Sequence, residues 1–252
     1  MRVKLTLRAI ESNAVLPLDY NHAVSSLIYS TLRKGSQQFA LTLHDQGFQA
    51  DGRSFKLFTF SRIQTKQARL AGETLVLEHP EVELQISSPV IPFIEHLLNG
   101  FSKQSNLMIA GASFELGSAL FVPQPEFRQQ MSFHALSPVT ETQKNGGEHP
   151  AFLSLTDNWS EITRRNLIRK YSSLYGREPQ ETEFNWQWDE KYIAKAERRG
   201  KRLSVLRDVH GIKIRGWLAP FTVTGSVELI RLGYEAGFGA RNSMGFGMAE
   251  VS

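Results

Sequence analysis

The sequence predicts an α+β fold of two tandem ferredoxin-like (RRM-like) units, each with the element order β-α-β-β-α-β. Three observations predict it. Alternating apolar segments interleave with segments of helical periodicity, the order restarts after a Pro123/Pro125 break, and 252 residues suffice for two cores of ordinary size. The break sets the domains at residues 1–122 and 123–252.

The chain opens with Val3, Leu5 and Leu7 alternating against Lys4, Thr6 and Arg8, a half-buried strand. Asn21 then stands as a cap for a helix in which Val24, Leu27, Ile28 and Leu32 recur at helical spacing, and Gly35 ends it. A short helical turn around Phe39–Leu43 precedes a polar loop, and the β-formers of Phe55 to Ile63 make the next strand. Leu75–Leu77 and Val82–Ile86 flank His79-Pro80 as a hairpin. Ile91, Ile94, Leu97, Leu98 and Phe101 mark a second helix ending near Gly100, and a strand follows across Leu107–Phe121.

In the second unit, Met131–Val139 reads as a strand and Trp159 to Tyr175 as a helix carrying Ile162, Leu167, Ile168 and Tyr171. A polar, glycine-containing loop lies between Glu141 and His149. Phe184–Trp188 and Gly211–Val223 supply strands, Val227 to Tyr234 a short helix, and Gly245–Val251 the closing strand.

Composition removes several function classes. There is no cysteine, so disulfide scaffolds, thiolate nucleophiles and cysteine-ligated metal sites are excluded. No apolar run approaches the roughly 18 residues that cross a bilayer, and charges interrupt the N-terminal apolar stretch. The expected address is cytoplasmic, without a membrane partner. Net charge is only +4, yet residues 191–215 alone carry +7 and the rest of the chain −3. Within that strip Lys195, Arg198, Arg199, Lys201 and Arg202 are candidates to bind an anionic partner such as RNA; the alternative is a solvated basic loop.

Near the C-terminus, Gly233-Tyr-Glu-Ala-Gly237-Phe-Gly239-Ala-Arg-Asn-Ser-Met-Gly245-Phe-Gly247 places five glycines in fifteen positions. Bare backbone of this kind can form a concave nest for an anion, held by loop amides and Arg241. It follows a helix rather than preceding one, so neither a Walker loop nor a dinucleotide fingerprint fits. The other reading is a glycine-rich turn with buried Phe238 and Phe246.

The run Gly237-Phe-Gly239, five residues, then Gly245-Phe-Gly247-Met resembles the C-terminal signature of the CRISPR-associated repeat endoribonucleases, the Cas-six group of the repeat-associated RNA-binding superfamily. Tyr20-Asn-His22, Leu27-Ile-Tyr29, Leu43-His44-Asp45 and Phe55-Lys56-Leu-Phe-Thr-Phe60-Ser extend the resemblance through the first half. It implies two ferredoxin-like domains side by side. It also implies catalytic roles for His44, Tyr29 and Lys56, and a glycine loop (Gly237, Gly239, Arg241, Asn242, Ser243, Gly245, Gly247) that shapes an RNA-binding surface. The implied partners are CRISPR repeat RNA and other CRISPR effector subunits; nothing in the sequence sets an oligomeric state.

The side-chain chemistry agrees. RNA carries its own nucleophile, the 2′-hydroxyl, so a cutter must align it, move two protons and stabilise a more negative phosphorus. Histidine, with an ordinary pKa of about 6.5, moves protons near neutrality. Lysine can hold the developing charge, and tyrosine serves better as donor or positioning group than as base. No carboxylate cluster or His-x-x-x-His pair is present, so no metal or other cofactor is expected. Each residue also has a plain alternative: His44 as a surface side chain with His22 as its rival, Lys56 lying along an apolar sheet, Tyr29 as a core ring with its hydroxyl at the rim. His134 and His210 are further candidates for RNA contact.

Overall fold

Arg2–Ala9 is the central strand of the first sheet, because its Val3, Leu5 and Leu7 are wholly buried. It pairs antiparallel with Ala112–Phe121 on one side and Glu81–Ser87 on the other. The short strand Thr59–Phe60 extends the sheet beyond Glu81–Ser87, and Leu107–Ile109 extends it at the opposite edge. The computed structural model describes residues 1–144, 150–209 and 211–252; residues 145–149 of the polar loop, with His149, and His210 lie outside the described residues.

Helices α1 (Asn21–Gly35), α2 (Gln37–Asp45) and α3 (Ile91–Ser102) complete this half. Val24, Leu27, Ile28 and Leu32 of α1 and Phe93, Ile94, Leu97 and Phe101 of α3 share one core with the sheet. The two helices approach closely at glycines. A Cβ on Gly100 would stand 1.9 Å from the carbonyl of Thr31, a contact no side chain can make.

The second sheet runs Phe184–Trp188, Phe221–Gly225, Gln130–Ala135, Ala249–Val251, again wholly antiparallel. Helices α4 (Trp159–Tyr175) and α6 (Val227–Ala236) pack on its aromatic-rich core, where Trp186 stacks on Phe221 at 3.8 Å. Asn158 caps α4 and Ser226 caps α6 through their side-chain oxygens. Between the first two strands of this sheet in sequence and the third lie α5 (Glu190–Arg198) and the hairpin Ser204–Val209/Ile212–Trp217, an insertion into the β-α-β-β-α-β order. Both halves thus take the ferredoxin-like order that the periodicity predicts. Among the described residues no helix is long and apolar enough to cross a membrane.

Several elements differ from the expectation. Leu75 and Val82 do not face each other across a hairpin: Thr74–Leu77 pairs with Val15–Pro17 and Ala68–Ala71 in a separate small sheet. The His79-Pro80 segment instead carries the chain from that sheet into the main one. Past Phe55, which ends a separate short strand, the stretch to Ile63 is strand only at Thr59–Phe60, because Leu57 adopts a left-handed backbone (φ 50°) and turns its side chain into the core of the second half. The polar stretch after α2 is a hairpin, Phe48–Ala50 with Arg53–Phe55, and Leu107–Phe121 folds back on itself at Ala110-Gly111. The closing strand begins at Ala249, later than expected, because Gly245–Met248 belong to the glycine loop. Asn21 does not cap α1; its amide donates to the carbonyls of Met244 and Gly245.

The halves are joined by more than the Pro123/Pro125 segment. Arg2 is 2% exposed and donates from Nη2 to the carbonyls of Tyr234 and Ala249, both at 2.9 Å, with its guanidinium 3.8 Å above the Tyr234 ring. Burial lowers its pKa to about 10, so it stays charged at neutral pH.

Candidate active site

Three stretches of the first half each bring one side chain to a common surface. Tyr29 projects from α1. A single connecting residue, Ser36, whose hydroxyl accepts from the Phe39 amide at 3.3 Å, folds α2 back against α1. His44, in the last turn of α2, therefore meets Tyr29 edge to face, ring centroids 5.3 Å apart at 82°. Phe58 closes the other side of the tyrosine ring at 5.7 Å. The hairpin that follows α2 then returns Lys56, whose Nζ donates to the backbone carbonyl of His44 at 2.6 Å.

Electrostatics differentiate the three. His44 is 67% exposed, and its Nδ1 lies 2.9 Å from the Asp45 carboxylate. A carboxylate at that position accepts Nδ1–H and leaves Nε2 on the open side, which orients the ring more than it stabilises the fold. Burial raises the pKa of Tyr29 to about 12, so its phenol stays protonated and serves as a donor. Burial lowers the Lys56 pKa while Asp45 acts the other way. His22, the rival histidine, is exposed two turns earlier on α1, with Nε2 3.3 Å from the Ser26 hydroxyl. His134 lies 3.3 Å from Glu250 on the second sheet.

The glycine loop is packed, not bare. Several of its amides are used internally: Phe238 N–H donates to Gly247 O, Ala240 N–H to Thr140 O, Gly245 N–H to Asn242 O and Gly247 N–H to Pro138 O. The glycines answer to space. A Cβ on Gly247 would lie 1.9 Å from Phe238 O, and one on Gly245 would lie 2.5 Å from the Phe60 ring, each on a left-handed backbone. The amides of Phe238, Ala240, Gly245 and Gly247 are thus committed to carbonyls and cannot also hold an anion, and the burial of Phe238 and Phe246 matches the other reading, a packed glycine-rich turn. What the loop offers is inward-facing carbonyls, and they surround a cation. Lys170, 3% exposed on α4, donates to Gly237 O (2.8 Å), Gly239 O (2.7 Å) and Asn242 Oδ1 (2.7 Å). Asn242 in turn donates to Phe238 O and Phe246 O. Burial pulls the Lys170 ammonium toward neutrality and nearby Glu141 opposes it; the three oxygen acceptors also favour the charged form.

Arg241 emerges from this fastened loop. It sits in the left-handed region at φ 61° and is exposed. Together with Asn242 and Ser243 it lines a cleft of about 450 Å³ that Arg53 to Phe58, Lys56 included, also line. The structure thus brings Tyr29, His44 and Lys56 together and sets Arg241 and Ser243 in the same cleft as Lys56. It keeps Lys195, Arg198, Arg199, Lys201 and Arg202 elsewhere: they are exposed on and after α5, with local bonds such as Lys201 Nζ to Tyr192 Oη at 3.0 Å. Unforeseen from the sequence are Lys170, Glu141, Arg53, and Arg165, Asn166 and Arg169 of α4, which line this cleft or the one beside it. The available signal was the spacing Thr163, Asn166, Lys170, three polar residues on the same face as Leu167 and Tyr171. Among the described residues no three His, Asp or Glu side chains gather as metal ligands.

Residues 15–119 match the family description "CRISPR-associated protein Cas6, N-terminal" and residues 122–251 match "CRISPR associated protein Cas6, C-terminal". The chain is 28% identical to the CRISPR-associated endoribonuclease Cas6 1 of Methanocaldococcus jannaschii, covering 98% of this chain and 91% of that protein. It is 27% identical to the CRISPR-associated endoribonuclease Cas6 of Pyrococcus furiosus, covering 100% and 90% respectively. A solved structure described as "An RAMP protein binding different RNA substrates" superimposes with a TM-score of 0.82 at 25% identity, over 100% of this chain and 99% of that one. With its two halves matched in order and little of the sequence left outside them, the chain belongs to the CRISPR-associated Cas6 family.

Proposed function

We propose that the chain is an endoribonuclease that cuts CRISPR precursor RNA within its repeats to release guide RNAs. The observation that carries this reading is the meeting of His44, Tyr29 and Lys56, side chains from α1, α2 and the chain after the Phe48–Phe55 hairpin, on one open surface beside the cleft. Family membership and relatives named endoribonucleases support it.

In the proposed reaction the 2′-hydroxyl loses its proton and its oxygen attacks the adjacent phosphorus. The bond from phosphorus to the 5′-oxygen breaks, and that oxygen takes up a proton. The products are a 2′,3′-cyclic phosphate and a 5′-hydroxyl. His44, through Nε2, exchanges a proton with one of the two oxygens, a role worth roughly 10²–10⁴ in rate. Lys56 faces the charge growing on the phosphoryl oxygens, and Tyr29 donates from its phenol to position the phosphate. Arg241 and the rest of the glycine loop hold the RNA across the cleft, with the basic strip of Lys195, Arg198, Arg199, Lys201 and Arg202 as a separate outer contact. The sequence of steps calls for no metal.

The test is incubation of the protein with end-labelled repeat RNA in EDTA, followed by identification of the product ends. Cleavage should persist and leave cyclic phosphate and 5′-hydroxyl termini. Loss of cleavage in EDTA, restored by Mg²⁺, overturns metal independence, and binding without cleavage reduces the protein to a repeat-RNA holder. Tyr29→Phe should lower single-turnover cleavage by about 10²-fold, the effect of one lost donor to developing charge. Because burial keeps this phenol protonated, its loss should leave the shape of the rate profile unchanged between about pH 6 and pH 9.

A further inference from the structure

A second cavity of about 450 Å³ adjoins the cleft beside Lys56, within the roughly 300–1,000 Å³ typical of small-ligand sites. The two share Arg53, Asn166 and Ala240 in their walls, so they lie side by side. Two polar side chains in its wall each keep a buried oxygen without a hydrogen-bond partner, although Glu141 also balances the charge of Lys170. Glu141 is 4% exposed and its Oε1 has no hydrogen-bond partner; Asn166 is 8% exposed and its Oδ1 has none. Buried acceptors are ordinarily satisfied, so two orphans in the wall of one cavity point to donors brought by a ligand. Arg53, Arg165 and Arg169 surround the same cavity, where they favour a ligand that also carries phosphate. Arg165 and Arg169 are steadied by Glu161 at 3.3 Å and Asp51 at 3.4 Å, ion pairs on exposed carboxylates that leave guanidinium N–H groups to spare.

We infer that this cavity is a base-reading pocket: it takes one guanine nucleotide of the RNA strand lying in the adjoining cleft, with Glu141 and Asn166 accepting from its N1–H and N2–H and the arginines holding its phosphates. Guanine presents two adjacent donors on one edge. Adenine and cytosine present an amino group beside an acceptor, and uracil a single donor between two acceptors, so each would leave an orphan oxygen unpaired or opposed. The inference rests on the reading of the chain as an RNA-processing protein, deepens it to a sequence preference, and is tested separately from cleavage.

The experiment binds a short, fully randomised single-stranded RNA pool to the full-length His44→Ala chain and sequences the bound fraction. One position should be enriched in guanine about tenfold or more, as paired hydrogen bonds to a base edge provide. Asn166→Leu and, independently, Glu141→Leu should erase that preference, since neither variant offers an acceptor at that place; melting curves show which variants are folded, and Asn166→Leu keeps the test open if Glu141→Leu unfolds. Arg169→Ala should weaken binding of all sequences alike and leave the preference in place. Inosine, which lacks the N2 amino group, should bind less well than guanine at the enriched position. No binding of the pool, no enriched position, enrichment in another base, or a guanine preference unchanged in folded Asn166→Leu overturns the pocket. A chain that shows the preference yet cuts nothing keeps the pocket and loses the nuclease; a chain that cuts without the preference does the reverse.

Discussion

Replacing His44 by alanine is expected to slow cleavage of repeat RNA by about 10²–10⁴-fold while leaving RNA affinity nearly unchanged. The imidazole is two-thirds exposed and its polar contacts are the Asp45 carboxylate and, through its own backbone carbonyl, Lys56. Little packing is lost with it, so the melting temperature should move little. Single-turnover cleavage, filter binding and a thermal melt on the same preparation separate the three quantities. Full activity in this variant would remove His44 from the chemistry. A matching fall in binding would recast it as an RNA contact, and a large fall in melting temperature would make it structural.

Lys170→Leu should cost about 3–5 kcal/mol of folding stability, the usual consequence of stripping one partner from a buried charged pair. The ammonium meets three oxygens at 2.7–2.8 Å and offsets the buried Glu141 carboxylate. Leucine fills similar space and supplies none of those donors. Urea unfolding measures the loss. Adding Glu141→Leu to the variant should recover part of it, since that removes the uncompensated acid but not the unpaired carbonyls of Gly237 and Gly239. A single variant as stable as the parent would mean that this lysine does not fasten the loop.

Legibility from sequence tracked how local each determinant is. The central strand and α1, α3 and α4 show in the periodicity of Val3/Leu5/Leu7, Val24/Leu27/Ile28/Leu32, Ile91/Ile94/Leu97 and Leu167/Tyr171, since burial of one face writes itself into spacing. Strand pairing did not, because nothing near Leu75 states that its partner is Leu16 rather than Val82. Helix α5 was hidden by its charge: in Glu190–Arg198 only Ala196 is fully buried, and the apolar face it forms with the half-buried Tyr192 and Ile193 is short. In the site, His44, Tyr29 and Lys56 were found through resemblance, while their convergence depends on the one-residue turn at Ser36 and on the hairpin after α2. The glycine loop was conspicuous in sequence, but its two readings could not be separated there. Glycines look the same whether they admit a phosphate or a neighbouring carbonyl, and the buried lysine that distinguishes the cases lies 67 residues from Gly237.

The exchange of Leu57 and Arg2 between halves bears on how a substrate is accommodated. Each is planted in the opposite lobe, one in hydrocarbon and one on main-chain carbonyls, so swinging the lobes apart would expose both. Parting the halves therefore carries a cost in exposed apolar and charged surface. A partner that fits the contour as folded avoids that cost, which gives it a head start over one that must pry the halves apart.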